Sequence, residues 1–206
     1  MQQIIHNVPL IAQERKDQYI AASFAMMLSW KDGKDKDILS VTDKMGKQVH
    51  SFTLSGGGQP PDDFKTIAEK EGMAIIDALP VKTEDLALLV FQSPLLTIFF
   101  SDSDKKIVYA LVITGITGDG SLTDTFVHIQ DPDLASKGKK YKIPLLDFYR
   151  QFNLVVAAND NLDLKNTNQF FCYYDASAKR TVTSTHQSFS SRSESTDESF
   201  EWKKDT

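Results

Sequence analysis

The chain has 206 residues, 41% of them hydrophobic and 25% charged, which suffices for one domain with a core or two small lobes around a cleft. Its net charge of −5 and the lack of a Lys/Arg cluster argue against a nucleic-acid surface. No run approaches 18 uninterrupted apolar residues, which argues against a membrane span, and the single Cys172 leaves no internal disulfide.

The N-terminus, "MQQIIHNVPLIAQ", lacks the basic start, long apolar middle and small-residue cleavage site of a signal peptide. The expectation is a cytoplasmic protein, or one exported without a cleaved signal. Residues 4–12 read as an extended stretch. Asp17 is placed to cap a helix from about Gln18 to Trp30, apolar on nearly every side, with only Ser23 and Ser29 interrupting. Such a helix belongs inside a protein. "DKDILSVTDKMGK" predicts an amphipathic second helix and "SGGGQPP" a loop. "DDFKTIAEKEGM" predicts a third helix ending at Gly72, and "KTEDLALLVFQ" a fourth with Thr83 as its cap.

After Ser93 the hydrophobic period changes. "PLLTIFF", "IVYALVITGI" and "DTFVHIQD" predict strands, separated by turn signals at "SDSD" and "TGDG". The nearly all-apolar run Ile107 to Ile116 is placed centrally in a sheet. "KKYKI" predicts a further strand, "PLLDFYRQF" a short helix and "NQFFCYYD" a last strand. Helices first and strands second imply an α+β fold: a helical part over about 13–92 packed on a β part over about 93–175, with a buried central helix. From Ala176 to Thr206 the chain turns rich in Ser and Thr, with a short acidic patch "SESTDESFE", and reads as a solvated tail.

Three marks stand in order: "Q-x5-Y-I-A-A" on the buried helix, "VYALVITGITGDG" on the central strand, and "VHIQDP" on the next. Their order and spacing over residues 7–153 resemble the papain-like cysteine peptidases, above all the compact bacterial ones. The resemblance implies that Gln13, six positions ahead of the nucleophile site, matches the oxyanion-hole Gln. Tyr19 then stands where the family has Cys, Ile20 at the usual Trp position, and Tyr109 where it has His. Asp131, 22 residues on, matches the residue that orients the His. Both auxiliary positions are kept and both reacting positions are changed.

A thiol at a helix N-terminus beside an imidazole ionises well below its free value of about 8.5 and attacks as thiolate. A phenol has a pKa of about 10 and is ionised to only about a thousandth at pH 7. What the resemblance implies is therefore a papain-like domain without peptidase activity, a degenerate site at Gln13, Tyr19, Tyr109 and Asp131, and a protein or peptide partner bound through the remodelled cleft or the tail. Each residue also has a plainer reading: Tyr19 and Tyr109 as core aromatics, Gln13 as a loop residue, Asp131 as a strand-ending turn residue. Two rival functions stay open: an enzyme with relocated residues, using Cys172 or Ser23, and a structural or immunity-type protein with a filled cleft. His6, His50, His128 and His186 have no metal-ligand spacing, and "SGGG" lacks the Lys-Ser/Thr of a phosphate loop. Neither metal nor cofactor is expected.

Overall fold

The computed structural model describes residues 3–15, 18–45, 61–76, 82–100, 107–133, 135–151 and 169–174. All lie in the first of two units, Met1–Ala176; none lies in the second, Ser177–Thr206, so the tail and most of the "SGGGQPP" loop fall outside the described residues. The helices are α1 (Tyr19–Asp32), α2 (Ile38–Met45), α3 (Pro61–Lys70), α4 (Thr83–Gln92) and α5 (Leu145–Gln151). The strands are β1 (Ile4–Ile5), β2 (Met73–Ile76), β3 (Leu95–Phe100), β4 (Ile107–Gly118), β5 (Thr125–Asp131), β6 (Lys139–Pro144) and β7 (Gln169–Tyr174).

The sheet runs β2–β7–β3–β4–β5–β6 with every pairing antiparallel. β4 is its longest strand and is central, as its apolar run predicts. β3 pairs β4 only up to Ile113, and β1 takes over further along, with Ile5 opposite Gly115 and Ile4 opposite Ile116. β1 thus continues the edge that β3 vacates, since β5 holds the other side of β4 there.

Alternation along the strands divides the core. One face carries Leu96, Ile98, Ala110, Val112 and Cys172, packed with Phe24, Met26 and Met27 of α1, Val41 of α2, and Phe64 and Ala68 of α3. The other carries Leu111, Ile113, Val127, Ile129 and Phe171, packed with Leu86 and Val90 of α4 and with Leu145, Phe148 and Tyr149 of α5. The fold is α+β, with a buried helix laid on an antiparallel sheet, as the order of helices and strands implies. Two details differ from the sequence reading. β2 has no counterpart there: "MAII" is only four residues long, and it joins the sheet by pairing with the distant β7. And α4 does not join the other N-terminal helices but covers the opposite face of the sheet.

α1 is the centre of the first core. Residues Ala21 to Ser29 are all buried. Burying each of Phe24, Met26, Met27 and Leu28 stabilises the fold by roughly 1.5–3 kcal/mol. The helix ends where Gly33 adopts a left-handed conformation (φ 63°) and donates its N–H to the Ser29 carbonyl. Neither predicted cap holds. At α1 the cap position is Gln18, with Asp17 outside the described residues, and at α4 it is Lys82, with Thr83 already the first helical residue. Neither cap residue makes a side-chain cap bond. A short polar residue near a helix start marks the region of a cap, but the position depends on where the chain turns in.

Gly115 lets β1 cross β4 closely: a methyl added there would overlap the Ile4 carbonyl oxygen and crowd Ile5. The nearest of these atoms belong to the β1 backbone, which cannot give way as a flexible side chain would. Gly115→Ala should therefore cost about 1–3 kcal/mol and lower the Tm by about 5 °C, read in a thermal melt monitored by circular dichroism. An unchanged melt would mean that β1 is not seated there.

Candidate functional site

The segment before α1 is braced by two glutamines. Gln13 is buried, its N–H donates to the Pro132 carbonyl (2.9 Å) and its Oε1 accepts from the Gln18 N–H (3.1 Å). Gln18 answers: its Oε1 accepts from the backbone N–H groups of Glu14 (3.0 Å) and Arg15 (2.9 Å). The turn is thus held by side chains, tied to the strand end after β5, and delivers Tyr19 as the first residue of α1. Ile20, next along, is half-buried against the α1 core.

From the sheet, register brings Tyr109, Asp131 and Tyr141 to one face. Ile113 pairs with Ile129, and Ile129 with Tyr141; Tyr109 and Asp131 lie an even number of residues from these and share their face. Tyr109 and Tyr19 meet ring to ring, with centroids 4.5 Å apart at an interplanar angle of 48°, a favourable tilted contact. Tyr19 packs against the α1 core and Tyr109 against the opposite one, so the pair joins the two layers.

Asp131 is the electrostatic centre. It is 2% exposed. Its Oδ1 accepts from the Asp133 N–H (3.0 Å), its Oδ2 lies 3.5 Å from the Lys139 ammonium, and its charge acts on the nearby phenols of Tyr109 and Tyr141. Burial, first, and the Asp131 carboxylate, second, push the Tyr109 phenol far above its ordinary value. The Tyr141 phenol is pushed up to about 12, again by burial first and then by Asp131. The carboxylate favours phenols as donors and opposes a second negative charge beside it.

All four residues singled out from the sequence lie among the described residues. Gln13 is linked to Asp131 only through the backbone of Pro132 and through α1, while Tyr19, Tyr109 and Asp131 form a continuous chain. Tyr141 and Lys139 were missed. Their signal was "KKYKI" itself, but placing Tyr141 on the face of Asp131 needs the β5–β6 register, which no local motif states. The other candidates lie apart. Cys172 is fully buried in the first core, and Ser23 is fully buried with no hydrogen-bond partner for its hydroxyl among the described residues. His128 Nε2 sits 2.9 Å from Thr117 Oγ1, and His6 Nε2 is bonded to the Val90 carbonyl. His50 and His186 lie outside the described residues.

An apolar helix whose N-terminus meets an Asp-supported strand residue, with a Gln braced just upstream, defines a papain-like architecture. The family profile described as papain-like cysteine protease AvrRpt2 matches residues 2–152, and the chain belongs to that family. Among curated proteins none matches. Among solved structures the chain is similar to a double glycine motif protease from an AMS/PCAT transporter in complex with the leader peptide, at 17% identity and a TM-score of 0.48, covering 85% of this chain and 99% of that one.

Removing the Asp131 charge should bring the Tyr109 phenol down. In a spectrophotometric titration of tyrosinate, Asp131→Asn should ionise more phenol at a given alkaline pH than the wild type. The linkage runs the same way. Tyr109 and Tyr141 have folded pKa values above their unfolded value of about 10, so their contribution to stability is full below about pH 10 and falls as pH rises above it. Urea unfolding across pH 9–11, an interval set by the phenol value of about 10, should show that decline. A flat profile would contradict the burial and bonding of these phenols.

Proposed function

We propose that this chain is a papain-like domain that does not cleave peptides and instead binds a protein or peptide partner, through the surface around Tyr19 and Tyr109 or through its C-terminal tail. The observation that carries this reading is the 4.5 Å contact of the two tyrosine rings, which the resemblance matches to the family's thiolate and imidazole positions. Papain-like cleavage asks one group to attack as an anion and the other to take and return a proton near pH 7. Burial and the neighbouring Asp131 carboxylate keep the Tyr109 phenol protonated, so it is a poor base. Tyr19 at the helix start gains about 1 kcal/mol at most from the dipole, against a phenol some three units too basic. Loss of both reacting groups costs several orders of magnitude in rate.

Burial also disfavours relocated chemistry. Cys172 and Ser23 are 0% exposed, and a buried thiol in an apolar core is inert. Tyrosines, large and with few rotatable bonds to order, suit a binding surface.

The test restores the chemistry. Wild-type protein should resist a thiol-directed peptide probe. The double variant Tyr19→Cys, Tyr109→His should be labelled at position 19, with a rate at least about tenfold above Tyr19→Cys alone because imidazole generates the thiolate. Equal rates for the single and double variants would show that position 109 does not face position 19 as a base must. For binding, Tyr19→Ala should weaken a captured partner by about tenfold, the scale of an aromatic anchor, if the ring pair is the surface used. An unchanged affinity would assign binding to the tail.

A further inference from the structure

A cavity of about 440 Å³ opens between the N-terminal residues 5–8 and the β4–β5–β6 part of the sheet. Its lining includes two lysines and two histidines and no Asp or Glu, in a chain whose net charge is −5. Strand register builds it. Gln130 pairs with Lys140 and His128 with Lys142, so these four side chains stand on one face, opposite to that of Asp131 and Tyr141. Lys139 on the other face has a carboxylate, Asp131. Lys140 and Lys142 have none among the described residues. The Lys140 ammonium lies 3.5 Å from the Val8 carbonyl, and that of Lys142 lies 4.7 Å from the Phe126 ring centroid. Gln130 donates from its Nε2 to the same Val8 carbonyl (2.7 Å), while its Oε1 is buried without a partner among the described residues.

Lysines on an edge strand can serve merely to repel other strands. That role needs no cavity, and it leaves the Gln130 acceptor unexplained. Two ammoniums on residues roughly 7 Å apart along a strand can converge on one carboxylate, and an N–H donor on the same ligand would satisfy Gln130. Free phosphate offers chiefly acceptors; a peptide offers both groups.

We propose that this cavity binds an acidic peptide segment, with an Asp or Glu carboxylate seated between Lys140 and Lys142 and a backbone N–H turned toward Gln130. The site does not depend on the reading of Tyr19 and Tyr109, because neither lines the cavity. Burial and the neighbouring Lys142 hold the His128 imidazole below its ordinary value; a bound carboxylate would reverse part of that.

Calorimetry on the full-length protein at low ionic strength, where charge contacts are least screened, tests this with an end-blocked glutamate-rich peptide and, separately, with inorganic phosphate. The peptide should bind, with phosphate at least about tenfold weaker. K140E/K142E should weaken peptide binding by at least about tenfold, about 1.4 kcal/mol, and the charge-matched K34E/K70E should not. No binding of the peptide, equal binding of phosphate, or equal loss in both double variants would overturn the proposal. A readout on unmodified protein stands beside these: the imidazole resonances of His128 should titrate at higher pH with the peptide bound, and an unmoved titration would also overturn it.

Discussion

The burial of α1 against the sheet is the constraint from which the rest follows. A helix with no polar face can only lie inside, so its axis is fixed by packing on both flanks. Its N-terminus, where four backbone N–H groups lack helical partners and the dipole is positive, is therefore delivered to one place. Gln13 and Gln18 secure that delivery by bonding the turn ahead of it. Whatever residue follows Gln18 is presented to Tyr109 and, through it, to Asp131. In a papain-like peptidase such a scaffold activates sulfur; here it stacks two phenols.

Asp131 changes its effect with the group it faces. A buried carboxylate beside an imidazole stabilises the cation that forms on proton transfer. Beside a phenol the same carboxylate accepts a hydrogen bond from the neutral form and opposes the anion, which is the direction in which Tyr109 and Tyr141 are shifted. On the proposed reading the scaffold and its charge are kept while the chemistry they favour inverts. The β5–β6 hairpin serves both faces. Lys139 and Tyr141 turn to Asp131, and Lys140 and Lys142 turn to the cavity under the N-terminal segment.

Much of this was legible in the chain. The apolar run of α1 and the period change after Ser93 were strong signals because burial dictates them directly. The spacing from Gln13 to Tyr19, and the placing of Tyr109 and Asp131 on neighbouring strands, pointed to the ring contact. What could not be read were features set by distant partners. "MAII" becomes a strand only because β7 pairs with it. α4 chooses the far face of the sheet because Leu86 and Val90 join the core of Leu111, Ile113 and Phe171 there. Tyr141 reaches Asp131, and Lys140 stands beside Gln130, by hairpin register alone. The caps at Gln18 and Lys82 escaped for a local reason: neither uses a side-chain bond.

The central claim is that two protonated phenols hold the positions of nucleophile and base, so that a bound chain stays whole. Mass spectrometry of a diverse peptide mixture after long incubation with purified wild-type protein at neutral pH tests it most directly. The account predicts no new peptide termini over a no-protein control. New termini that disappear in Tyr19→Phe or Tyr109→Phe would contradict it.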